Sequence, residues 1–167
     1  MLRFLLIAAF AAALPVCAMA KPNPLSLDLR QTLFIKTVEQ TWNLKNPPKI
    51  PDDPAYVAYR QDFETRIKDV VAEAFSKSPA GSEPAAFKIE VTDFSAATTG
   101  AFMSANVTVT RLSDGVVLGV YPKVRGFQQS NGGMLGVLVQ AMVKPDVIGI
   151  MSANFAAVLR AKFDAKK

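Results

Sequence analysis

The sequence predicts an α+β fold: a two-layer sandwich in which an antiparallel sheet of about four strands carries two main helices on one face. Three observations predict it. Apolar and polar residues alternate in one early segment and in three central ones, as half-buried strands require. Two other segments repeat apolar residues every three or four positions, as helices with one buried face require. The resulting order is strand–helix–strand–strand–strand–helix, which lets each helix stripe cover the apolar side of the strands.

The chain opens with the grammar of a secretory signal. Arg3 supplies a positive start, Phe4 to Leu14 an apolar run, and Ala18-Met19-Ala20 small residues where a signal peptidase reads. Cleavage after Ala20 is expected, giving a periplasmic or secreted protein that begins at Lys21. Residues 21–26 then form a linker and 27–165 a single α+β domain, a length that suits one core. Cys17 is the candidate lipidation site of the alternative, a membrane-tethered lipoprotein. Val16 and Pro15 fit a lipoprotein box poorly.

Leu25, Leu27 and Leu29, then Leu33, Ile35 and Thr37, give a long strand over 27–41 with a bulge near Gln31, closed by Trp42. Asn43 to Pro54 holds four prolines and two aspartates, which make it a loop. Asp52 or Asp53 caps a helix over 54–77, with Pro54 in its first turn. Tyr56, Tyr59, Phe63, Ile67, Val70, Val71, Ala74 and Phe75 form its stripe, and Glu64 and Lys68 stand as an i,i+4 pair. Phe87, Ile89 and Val91 alternate with polar residues. Ala105, Val107 and Val109 do the same, and Ser113-Asp114-Gly115 turns the chain into Val116 to Val124. Pro122 places that last strand at an edge or a strand end. Asp146 caps the final helix, whose apolar face is Ile148, Met151, Phe155, Val158 and Leu159.

Composition excludes more chemistry than it offers. The 167 residues contain no histidine and one cysteine, Cys17, which lies in the signal. The mature chain therefore has no Ser-His-Asp or Cys-His device and no zinc site of the usual ligands. No catalytic residue, cofactor or metal is expected. The carboxylates fall in structural places: Asp52 and Asp53 at a cap, Asp62 and Glu64 at different helix azimuths, Glu90 and Asp93 near a strand end. None forms the facing pair that glycoside cleavage needs. A formal charge of +5 favours anionic surfaces only mildly. Basic and aromatic residues do not interleave, so nucleic-acid binding is not expected.

One stretch exceeds what a simple domain needs. Met134 to Val143 is apolar all round, too short to span a membrane, and interrupted only by Gly136 and Gln140. It is either core or a contact surface for a partner or lipid, presented by Met134, Leu135, Val137, Leu138, Val139 and Met142. The run Gly133-Met134-Leu135-Gly136-Val137-Leu138 through Lys144-Pro145-Asp146-Val147, ending in Phe155-Ala156-Ala157-Val158-Leu159-Arg160, resembles small uncharacterised proteobacterial envelope proteins and lipoproteins. That resemblance implies a signal, one α+β domain and no catalytic residues to carry over. The expectation is a non-enzymatic periplasmic accessory or binding protein. Its contact surface would be a sheet face or the 134–143 stretch, and its partner an envelope protein or lipid, with peripheral membrane association and an open oligomeric state. The alternatives are a small lipid- or peptide-binding carrier and a carboxylate-dependent hydrolase of envelope polymers.

Overall fold

The computed structural model describes residues 33–76, 83–98, 100–129 and 146–165. Four strands and two helices account for them: β1 (Leu33–Trp42), α1 (Pro54–Ser76), β2 (Glu83–Ala97), β3 (Gly100–Arg111), β4 (Val117–Gln129) and α2 (Val147–Asp164). The expected element order is observed, as are the α+β class and the single layer of helices. The sheet runs β1-β2-β3-β4. It is mixed rather than antiparallel throughout, because β1 pairs parallel with β2 while β2–β3 and β3–β4 are antiparallel. The correction has a simple cause. A helix connects β1 to its neighbour β2, and a strand that crosses back over a sheet through a helix returns in the same direction.

Period two in β2 and β3 divides the sheet into a covered and an open face. Ala85, Phe87, Ile89 and Val91 of β2, with Met103, Ala105, Val107 and Val109 of β3, are buried under the helices. Phe87 joins all three elements: its ring meets Phe75 of α1 at 4.7 Å and Phe163 of α2 at 6.1 Å. At the other end of α1, Phe63 lies 5.6 Å from Trp42 and 5.2 Å from Phe94. Arg60 stacks its guanidinium 4.5 Å above the Trp42 ring. Each fully buried side chain of this size contributes about 1.5–3 kcal/mol.

The caps fall where side-chain chemistry places them. Asp53 accepts the N–H groups of Ala55 and Tyr56 at 2.9 and 3.0 Å, so it, rather than Asp52, opens α1. Asp146 accepts from Gly149 N–H at 3.0 Å and opens α2, as expected. Glu64 pairs with Arg60 instead of Lys68 and also accepts the Trp42 indole N–H. That indole draws the carboxylate toward the first half of the helix.

Bulges shape the rest. The β1–β2 register shifts between Ile35 and Thr37, whereas the bulge expected near Gln31 lies outside the described residues. In β2 the register shifts at Thr92, whose buried hydroxyl donates to the Ser104 carbonyl at 3.1 Å. Asp93, expected near a strand end, is therefore inside a strand that continues to Ala97. Gly115, at φ +73°, makes the expected turn before β4. β4 is an edge strand, as Pro122 predicts, and α2 covers it: Asn154 donates to the Phe127 carbonyl at 2.7 Å and Lys162 to the Pro122 carbonyl at 3.2 Å. No helix among the described residues is long and apolar enough to cross a membrane.

Candidate functional site: the open sheet face

The side of the sheet away from the helices carries the chain's unabsorbed chemistry. Strand register orders it in rows. Glu39, Lys88, Thr108 and Val120 make one row, and Thr41, Glu90 and Asn106 the next. Toward the β2–β3 turn follow Asp93, Ser104 and Arg125, then Ser95, Phe102 and Phe127. Toward the β3–β4 turn lie Ala86, Thr110 and Val117, then Phe34, Pro84 and Leu112, with the Leu112 N–H donating to the Pro84 carbonyl at 2.9 Å. Both ends are apolar and exposed: Phe102 is 38% and Phe127 59% accessible, Leu112 43% and Val117 56%. The centre is polar.

Glu90 anchors that centre. After Trp42 the chain stays beside β2, with the N–H groups of Asn43 and Lys45 donating to the Val91 and Thr92 carbonyls at 2.8 and 2.9 Å. This brings the Asn43 amide to Glu90 Oε1 at 2.9 Å, while the Asn106 amide donates to Oε2 at 3.3 Å. Asn106 Oδ1 in turn accepts the N–H of Lys123, which sits at φ 52° where β4 bulges past β3. The two amide hydrogen bonds, Asn43's first, hold the Glu90 carboxyl below the usual glutamate value, and Lys88 and Lys45 add to the effect. A carboxylate stabilised as the anion is the reverse of what a general acid requires.

At the β2–β3 end, Ser95, Ala101, Phe102, Arg125, Phe127 and Gln128 line an open groove of about 480 Å³. The described residues that line it all belong to the sheet. Arg125 makes no ion pair with any described residue.

Sequence reasoning pointed to a sheet face but not to these residues. Phe127 lies beyond the strand expected over Val116 to Val124, and alternation alone does not say which side of a strand meets the helices. A phase count from buried Val107 would have put Phe102 on the opposite side. The candidate contact residues Met134, Leu135, Val137, Leu138, Val139 and Met142, and the candidate lipidation site Cys17, all lie outside the described residues. Asp62 and Asp146 are brought together on Arg66, which binds Asp62 Oδ1 at 2.6 Å and bridges to Asp146 across the two helices. Among the described residues, no three acidic side chains converge.

No family model matches the chain, and no curated protein matches it. Solved structures resemble it coarsely. A candidate lipoprotein from Caulobacter crescentus overlaps 75% of this chain and 86% of its own at 10% identity, with a TM-score of 0.40. The PelC dodecamer protein from Paraburkholderia phytofirmans overlaps 84% and 93% at 10% identity, also with a TM-score of 0.40. A hypothetical protein from Chlamydia trachomatis overlaps 78% and 94% at 13% identity, with a TM-score of 0.29. At such scores the overlap is a likeness of layout and assigns no activity.

Proposed function

We propose that this chain is a non-enzymatic binding protein of the cell envelope, exported with loss of residues 1–20, that meets a macromolecular partner through its open sheet face. One observation carries the reading: two exposed apolar ends, Phe102 with Phe127 and Leu112 with Val117, flank an ordered polar centre on a face that neither described helix covers. Apolar side chains gathered on a solvent-facing sheet mark a contact surface. A carrier would instead need room between sheet and helices. Phe63, Phe87 and Phe155 are fully buried there, and the groove at Phe102 opens outward. The lowered Glu90 carboxyl does not suit the general-acid role that the hydrolase alternative needs.

Site-specific photo-crosslinking in living cells tests the proposal. A photoreactive residue at position 127 or 102 should give adducts, and one at Lys68, exposed on α1, should not. Adducts absent from both sheet positions would overturn the assignment of this face. Cell fractionation should recover the protein outside the cytoplasm.

A further inference from the structure

The open face fits a second copy of itself. We infer that two chains pack their open sheet faces together about a two-fold axis, with the Phe102 end of each over the Leu112 end of the other. The inference rests on the proposed role of this face as a contact surface and supplies its partner.

Strand register sets the pairing. In an isologous dimer every contact occurs twice, so the surface must complement its own two-fold image. Consider an axis lying between the sheets, across the strands, at the level where Ile89, Val107 and Tyr121 pair. It reverses strand direction and keeps strand order, so rows equally distant from that level meet. The Phe102 row, five residues to one side of Val107 on β3, meets the Leu112 row, five residues to the other. On β4, Val117, level with Thr110, meets the aliphatic stem of Arg125, level with Ser104, and Phe127 lies one row beyond. Phe102 covers Leu112, twice.

The central rows complement each other in charge. Lys88 pairs in register with Thr108, and Glu90 with Asn106, one residue to either side of the axis. Lys88 of each copy therefore faces Glu90 of the other, giving two intermolecular ion pairs. Thr108 faces Asn106 in the same way. A shift of one row would place Lys88 over Lys88 or Glu90 over Glu90, so charge defends the register. Sheets packed face to face stand about 10 Å apart with strands within about 30°, which these side chains can span.

The test uses complementation in the protein purified after export, with mass measured by light scattering. The wild type should be a dimer. Lys88→Glu leaves four acidic groups at the centre, and Glu90→Lys four basic ones, so each alone should weaken dimerisation at least tenfold. Mixed, they should form a heterodimer, because each acidic group then meets a lysine. Leu112→Glu and Phe102→Lys form a second pair that leaves the Glu90 hydrogen bonds intact and should behave the same way. A monomeric wild type at high micromolar concentration, variants that still self-associate, or two folded pairs that fail to combine would each overturn the dimer. The in-cell crosslinks separate the two ideas. Adducts at twice the chain mass support self-packing. Adducts to a different protein defeat it while preserving the contact surface, and no adduct defeats both.

Discussion

Gly126 shows how much one hydrogen decides. A Cβ built there would stand 2.5 Å from the Met151 carbonyl oxygen and 2.7 Å from Phe155 Cβ, so α2 approaches β4 only because the side chain is absent. Gly126→Ala should cost about 1–3 kcal/mol, read as a lower urea midpoint. Ser152 makes the opposite case. Its hydroxyl is buried on α2 without a hydrogen-bond partner among the described residues, so Ser152→Ala should leave stability unchanged or raise it by about 1 kcal/mol in the same measurement. The Glu90 carboxyl, held by the Asn43 and Asn106 amides, titrates in the folded chain below the ordinary 4.5, so its contribution is full above that value and is lost as pH falls through the lower, folded one. Urea midpoints followed from about pH 6 to pH 3 should decline less steeply in Glu90→Gln than in the wild type over that acidic window.

The two helices depend on their first turns. Asp53 binds two N–H groups at the start of α1, so Asp53→Ala should cost about 1 kcal/mol of stability. Asp146 caps α2 and also holds Arg66 of α1, joining the helices where they enter the layer. Both ion-pair partners are well exposed, so the bridge itself adds little and the cap dominates. A double-mutant cycle with Arg66→Ala and Asp146→Asn checks this: the amide keeps a capping oxygen, and the coupling should stay below about 1 kcal/mol. The strands carry a separate lesson. Thr92 interrupts the alternation of β2 by bulging, and that single insertion makes Asp93 look like the end of a strand that runs on to Ala97.

For the molecule as a whole, the open sheet face sets the expected behaviour. Both described helices lie on one side of the sheet, and the other side has apolar ends around an ordered polar centre. If the chain is exported as its first residues predict, intact mass of the extracytoplasmic protein should correspond to a chain starting at Lys21. A diacylglyceryl addition on Cys17 would indicate tethering instead.

Much of this architecture was legible from residue patterns, because period two and period three-to-four are local consequences of burying one face. The helix bounds, Asp146 as a cap, the Ser113-Asp114-Gly115 turn and the edge position of β4 are all of that kind. The sequence by itself also determined which chemistry is absent, since a chain with no histidine lacks that chemistry in any conformation. Only the tertiary structure decided that β1 lies parallel to β2, that Asn43 and Asn106 converge on Glu90 from 47 and 16 residues away, and that Phe102 and Phe127 share the side away from the described helices. Strand pairing and its bulges set these relations between distant segments, and such long-range register leaves no periodic trace in either segment alone.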